Sequence, residues 1–198
     1  VARLQIYVIG LVVLGVVCFG RSFIDLWVGD SFTGSYICAI LIIVPSLFQL
    51  PQEIGLQAIH VKNKVKPLAR VFVCMAIISL VFSLMLAKPF GAIGIGISVF
   101  LAYILRTIGM DVILYRYLNI NVFVFFKESF VKQAIPLFIC LIVGLAIENF
   151  LSVAGWIGFI IKGGMFCVCY GLINYTLAMT DSEKQLILVF ISKVFKLI

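Results

Sequence analysis

The chain reads LARVFVCMAIISLVFSLMLA at residues 68–87, KPFG at residues 88–91 and AIGIGISVFLAYILRTIGMDVIL at residues 92–114, and this stretch decides its fold. An α-helix rises about 1.5 Å per residue, so about 20 mostly apolar residues cross the ~30 Å hydrocarbon core of a bilayer. Both apolar runs have that length, and neither alternates apolar with polar residues as the strands of a transmembrane β-barrel do. The stretch therefore predicts two membrane-spanning helices joined by a tight turn.

Four further apolar runs of similar length flank this stretch. They cover residues 4–19, 36 to about 57 or 60, 134–151 and 156–179. The sequence therefore predicts an all-α, polytopic bundle of about six transmembrane helices in residues 1–180. Residues 181–198 are predicted to form a cytoplasmic or interfacial amphipathic tail, because the apolar stretch at 186–198 is short and carries Lys193 and Lys196.

The composition requires a bilayer, not water, as the main solvent. Apolar residues make up 64% of the chain and charged residues 12%, with a mean hydropathy of +1.27, whereas soluble globular chains are about half apolar and a quarter charged. The net charge of +7 does not indicate nucleic acid as a partner, because lysines and arginines cluster in short gaps between apolar runs. The six cysteines lie inside apolar runs and are predicted to be buried free thiols. Since residue 1 is Val, we expect the chain to begin partway through a longer protein.

The distribution of basic residues predicts the orientation of the bundle. One set of alternate gaps holds only Arg21 and Lys88, and the other set holds ten basic residues. The ten are Lys62, Lys64, Lys66, Arg70, Arg116, Lys127, Lys132, Lys184, Lys193 and Lys196. The positive-inside rule places this set, and both ends of the chain, in the cytoplasm. The outer turns are then expected at residues 20–35, 88–91 and 148–156. Trp27 and Trp156 fall at the predicted outer surface, where indole rings favour the headgroup region.

Five polar residues of the second run lie on one helical face. They are Ser46, Gln49, Glu53, Gln57 and His60, at spacings of 3, 4, 4 and 3. Pro45 and Pro51 lie beside this face, and a proline within a helix frees backbone carbonyls and bends the axis. One interpretation is a polar face toward a water-filled cavity that opens to the cytoplasm. The other is that the helix ends near Pro51 and the polar face is a solvated extension.

Charged residues inside the apolar runs are the remaining candidates, because a charge in hydrocarbon costs at least a few kcal/mol. Arg106 either offers its guanidinium to the phosphate oxygens of an anionic headgroup, or it snorkels or pairs with a carboxylate on another helix. Asp111 does not share its face and is interpreted as an ordinary residue near the inner surface. Lys162, roughly 9 Å below the outer surface, either snorkels or belongs to a substrate pathway. The substrate-pathway candidates are Gln49, Glu53, Gln57, His60, Arg106 and Lys162.

The sequence lacks the motifs of nucleotide, hydrolytic and metal chemistry. It contains no G-x-x-x-x-G-K-[ST], no G-x-S-x-G and no H-E-x-x-H. With one histidine and no clustered carboxylates, we expect no metal, no cofactor and no catalytic residue. The protein is predicted not to be an enzyme.

Three segments carry patterns that are typical of one transporter family. GRSFIDLWVG at residues 20–29 has the form G-x-x-F-I-x-L-W-x-G and is followed by Phe32 and Tyr36. The second run ends in GLQAIHVK at residues 55–62, and the fourth is entered through KPFGAIG at residues 88–94. In order and spacing, over roughly residues 20–121, these patterns resemble the C-terminal half of the polysaccharide flippases. These are Wzx-like O-antigen and exopolysaccharide transporters of the multidrug/oligosaccharidyl-lipid/polysaccharide exporter superfamily.

The resemblance implies one lobe of a two-lobe flippase. Such a protein moves an undecaprenyl-diphosphate-linked oligosaccharide unit across the bacterial plasma (inner) membrane for O-antigen, capsule or exopolysaccharide biosynthesis, by alternating access and without nucleotide hydrolysis. Membrane lipids, a polysaccharide polymerase and a chain-length regulator are the implied partners. The alternatives are a cation-coupled multidrug exporter of the same superfamily and a membrane-embedded glycan polymerase or acyltransferase.

Overall fold

The computed structural model describes residues 2–29, 32–118, 131–151, 155–180 and 183–185, which are 94% helical and contain no strand. The elements are α1 (Ala2–Trp27), α2 (Thr33–Ile43), α3 (Ser46–Val61), α4 (Val65–Leu118), α5 (Lys132–Phe150), α6 (Gly155–Ile173) and a π-helical segment (Asn174–Ala178). Within these described ranges, five helical stretches are long and apolar enough to cross a membrane. The prediction of an all-α transmembrane bundle is confirmed. Residues 186–198, which make up most of the predicted tail, lie outside the described residues.

The longest element, α4, is a helical hairpin that accounts for two predicted spans. Gly91 has φ +55° and ψ −133°, a conformation that residues with a Cβ rarely adopt, and it separates a first arm (65–90) from a second arm (92–118). The arms pack antiparallel, since the Ser83 and Ser98 hydroxyls are 2.5 Å apart and Gly94 lies directly against the Leu86 carbonyl. The tight turn expected at residues 88–91 is therefore confirmed.

The close approach of the two arms predicts a large effect of one methyl group. A Cβ added at Gly94 would lie 2.1 Å from the Leu86 carbonyl oxygen, so the arms must move apart. We expect Gly94→Ala to lower the free energy of unfolding by about 2 kcal/mol. Gly164→Ala in α6 is the matched control, because its Cβ would meet nothing within 4 Å. Thermal unfolding of the purified proteins measures both, and equal midpoints for the two variants would contradict the described hairpin.

The first outer turn is shorter than predicted. The expected turn at residues 20–35 is wrong over its first part, because α1 continues to Trp27. The extension packs on α6: the Phe23 ring lies 6.1 Å from the Trp156 ring and 5.6 Å from the Phe159 ring, measured between centroids. These contacts between α1 and α6 extend the helix. Local hydropathy contains no information about them, because the two segments are far apart in the sequence.

The second predicted span consists of two helices with a break at Pro45. Pro45 has no N–H to donate, so the helical ladder is interrupted between Ile43 and Ser46. Pro51 lies inside α3, which runs on to Val61. The interpretation that the helix ends near Pro51 is therefore wrong, and the polar face belongs to a continuous helix.

The described helices share two apolar cores. The first joins α1, α5 and α6 through Cys18, Phe19, Cys140, Ile147, Phe166 and Tyr170. The second joins α3 to both arms of α4 through Ile59, Leu68, Met110, Ile113 and Leu114. Helix α2 contacts α1, because the Tyr36 hydroxyl donates a hydrogen bond to the Val17 carbonyl at 2.6 Å.

The cysteines and the outer surface fit a lipid environment. All six cysteines are free, but only Cys18 and Cys140 are buried, so the prediction of burial is wrong for the exposed Cys74 and Cys167. Large aliphatic side chains cover the outside of the bundle, among them Leu84 at 67% exposed. An apolar surface of this extent is stable in a bilayer and would aggregate in water.

Candidate functional site

The strongest candidate site surrounds Arg106, in the second arm of α4. Arg106 lies 15 residues past Gly91, roughly 22 Å along the helix, which places it within the ~30 Å hydrocarbon core and about 8 Å from the side predicted to be cytoplasmic. Its Nη1 donates to the Gln49 side-chain oxygen at 2.8 Å, and its Nη2 contacts the Glu53 carboxylate at 2.5 Å. The arginine is 7% exposed. A guanidinium is therefore enclosed by the bundle and ion-paired between two helices.

Side chains of α3 and of the first arm of α4 fix this guanidinium. Gln49 and Glu53 are four residues apart on α3, so both side-chain oxygens face the same neighbour. Phe72, from the first arm of α4, places its ring centroid 5.2 Å from the Arg106 guanidinium carbon, a distance typical of a cation–π contact. The alternative interpretation of Arg106, pairing with a carboxylate on another helix, is what the structure shows. Its contact with a substrate stays a prediction.

A second polar contact extends the site by one helical turn. Gln52 is 2% exposed and donates from Nε2 to the Asp111 carboxylate at 2.7 Å and to the Thr107 carbonyl at 3.4 Å. Gln52 is not among the substrate-pathway candidates predicted from the sequence, which interprets Asp111 as an ordinary residue near the inner surface. The spacing in the sequence could have identified Gln52, because it follows Gln49 by three residues and so lies on the same buried face of α3.

Two buried polar atoms of this site have no partner among the described residues. They are Gln49 Nε2, a donor, and Gln52 Oε1, an acceptor. A buried polar group that makes no hydrogen bond costs free energy, more so where the surroundings are hydrocarbon. The site thus offers a spare donor beside the guanidinium, and an oxygen-rich anion or a hydroxyl could accept from it.

The remaining substrate-pathway candidates do not join this site. Gln57 and His60 lie further along α3 and are exposed. Lys162 is 11% exposed at its side chain and contacts the Glu148 carboxylate at 3.2 Å, while Ser22 donates a short hydrogen bond to the same carboxylate. Lys162 therefore pairs with a carboxylate near the C-terminal end of α5, and the choice between snorkelling and a substrate pathway stays a prediction.

The Lys162–Glu148 pair ties α5 to α6 and gives a second stability prediction. We expect Glu148→Leu to lower the free energy of unfolding by about 3 kcal/mol, because it leaves a largely buried ammonium without its carboxylate. The matched control is Asp25→Leu, which breaks the exposed pair with Arg21 at 3.9 Å and should cost about 0.5 kcal/mol or less. Denaturant unfolding measures both, and a Glu148→Leu effect no larger than the control would contradict the described contact.

A large apolar cavity lies away from Arg106. It has a volume of about 660 Å³, lies between α1, α2 and α6, and is lined mainly by apolar residues such as Phe19, Trp27 and Phe159. Neither this cavity nor a smaller one of about 250 Å³ beside Pro45 is lined by Arg106 or Glu53. The guanidinium thus faces its protein partners, and the water-filled cavity expected at this face stays a prediction.

Comparison of the chain with protein-family models, with curated proteins and with solved structures gives no match. The resemblance to the polysaccharide flippases therefore stays a prediction from the sequence.

Proposed function

We propose that this chain is one lobe of a flippase for an undecaprenyl-diphosphate-linked oligosaccharide in the bacterial inner membrane, with both ends of the chain cytoplasmic. It would serve the biosynthesis of a surface polysaccharide such as O-antigen, capsule or exopolysaccharide. One observation carries the proposal: a guanidinium lies 7% exposed within a membrane-spanning bundle, next to a carboxylate and a spare amide donor.

Stability alone does not account for such a pair. On insertion scales an arginine costs up to about 2.5–3.5 kcal/mol in a membrane helix, the value for the helix centre. Replacing a buried ion pair by packed apolar side chains is often neutral or stabilising, so the fold gains little from Arg106 and Glu53. Intramembrane charges commonly mark the path of a substrate or an ion, and this supports a transport role.

The donor arrangement suits a diphosphate. Arginine presents donors in a planar fork that matches phosphate oxygens, and Gln49 Nε2 adds a neutral donor beside it. A phosphate arriving at Arg106 would compete with Glu53 for Nη2. The displaced carboxylate would then need a proton or another cation, which would couple cargo movement to an ion gradient without nucleotide hydrolysis.

The proposal is tested by the leaflet distribution of the lipid-linked unit. Cells that lack the protein are expected to accumulate the unit on the cytoplasmic leaflet and to lose surface polysaccharide. Restoring the full-length gene should reverse both effects. Unchanged glycan export and unchanged leaflet distribution in the deleted cells would rule out this function.

A further inference from the structure

A hollow rich in positive charge lies where α3 turns into α4, at the end of the bundle predicted to be cytoplasmic. Its volume is about 640 Å³, and Lys64, Lys66, Arg70 and Tyr117 are among the residues that line it. It lies apart from the Arg106 site, and none of the six substrate-pathway candidates lines it. Its use does not depend on the flippase function.

The turn that forms one wall of the hollow is fixed by its backbone. Asn63 has φ +52°, and its N–H donates to the His60 carbonyl at 2.9 Å. The Lys64 N–H donates to the Ile59 carbonyl at 3.2 Å. These two bonds around a left-handed residue form a Schellman motif, which ends α3 in a defined geometry. Lys64 is therefore held at the edge of the hollow.

Three cations face this hollow without a carboxylate. Lys66 and Arg70 are four residues apart in the first turns of α4, so they share a face, and like charges at this spacing repel each other. Among the described residues, Lys64, Lys66 and Arg70 make no ion pair and no side-chain hydrogen bond. Lys62 differs, because its Nζ donates to the Tyr117 carbonyl at 3.1 Å. An anion in the hollow would relieve the repulsion among the other three.

The position of the hollow along α4 indicates a lipid as the source of that anion. Leu68 is buried in the second core, and Val73, three residues after Arg70, is 57% exposed. Arg70 therefore lies at the level where the helix passes from water into lipid. The positive-inside rule needs only basic residues on this side of the membrane and does not require them to converge on one hollow. Clustered lysines and arginines next to a membrane helix bind anionic headgroups.

We propose that the hollow formed by Lys64, Lys66, Arg70 and Tyr117 binds the phosphate group of an anionic phospholipid in the adjacent leaflet. Arg70 contributes a planar fork for two phosphate oxygens, and Lys64 and Lys66 contribute ammonium donors. Bound lipid would hold the α3–α4 turn at the membrane surface.

Native mass spectrometry of the detergent-solubilised full-length protein tests the proposal by counting bound lipids during titration. We expect phosphatidylglycerol to bind about tenfold more tightly than phosphatidylcholine. Lys66→Gln/Arg70→Gln should reduce that preference to about twofold or less. The matched control Arg116→Gln/Lys184→Gln removes the same charge on the same predicted side, outside the hollow, and should keep the preference. Lys66→Arg/Arg70→Lys preserves the charge and should keep it as well.

Three outcomes would overturn the proposal. In the first, Lys66→Gln/Arg70→Gln keeps the preference for phosphatidylglycerol. In the second, the control variant loses as much affinity as the hollow variant, which would indicate general surface charge. In the third, inorganic pyrophosphate displaces phosphatidylglycerol at equal concentration, which would indicate a soluble anion as the ligand. If the double variant does not fold, Arg70→Gln alone is compared with Arg116→Gln under the same criteria.

Discussion

Arg106→Ala is expected to reduce export of the lipid-linked oligosaccharide by at least about 30-fold in cells that carry no other copy of the protein. Removing one partner of a buried, charged hydrogen bond to a ligand costs about 2–5 kcal/mol, and 2 kcal/mol already corresponds to about 30-fold. The measurement is surface polysaccharide per cell, together with the fraction of the lipid-linked unit on the outer leaflet.

Two control variants define what the loss at Arg106 means. Arg106→Lys keeps the charge but not the fork of donors, so we expect an intermediate loss. Arg116→Gln removes a positive charge from the exposed end of the same helix and should leave export unchanged. A multidrug exporter for cationic drugs would tolerate or gain from Arg106→Ala. Normal polysaccharide export by the Arg106→Ala variant would therefore contradict the proposed function.

Glu53→Leu is expected to destabilise the protein by about 3 kcal/mol. The substitution leaves the Arg106 guanidinium, which is 7% exposed, with Gln49 as its remaining hydrogen-bond partner in the described part of the chain. Breaking a buried ion pair from one side typically costs 3–5 kcal/mol, and the partial exposure of Glu53 places this case at the lower end. Thermal unfolding of the purified protein in detergent measures the change.

The double variant Glu53→Leu/Arg106→Met separates stability from transport. Apolar side chains of similar volume should restore most of the stability lost in Glu53→Leu, because no uncompensated charge remains. Export should stay as low as in Arg106→Ala, since the guanidinium donors for the cargo are gone. If the double variant is as unstable as Glu53→Leu, the broken Glu53–Arg106 ion pair does not account for the loss of stability in Glu53→Leu.

The helical hairpin of α4 was predictable from sequence, and the length of α1 was not. The hairpin follows from two apolar runs, each long enough to cross a bilayer, and from Gly91, which permits a positive φ at the turn. The end of α1 at Trp27 depends on the packing of Phe23 against two aromatic rings of α6, more than 130 residues later in the chain. Hydropathy and turn motifs carry no information about such distant contacts.

The candidate site was predicted as a set of residues but not as an arrangement. Helical spacing placed Gln49 and Glu53 on one face of α3, and the structure confirms that they lie side by side. Their partner Arg106 lies 53 residues beyond Glu53, and the register between two packed helices depends on side chains throughout the interface. The contact between Gln52 and Asp111 could not be predicted for the same reason, because it also depends on the register between α3 and α4.

Movement of a labelled lipid in vesicles tests the central claim most directly. The full-length protein is reconstituted with a fluorescent polyprenyl-diphosphate oligosaccharide, and a membrane-impermeant quencher reports the fraction of probe that changes leaflet. We predict that the unaltered protein moves this probe and that Glu53→Leu/Arg106→Met, folded and reconstituted to the same level, does not. Equal rates of movement for the two proteins would contradict a role of the buried guanidinium in carrying an anionic cargo.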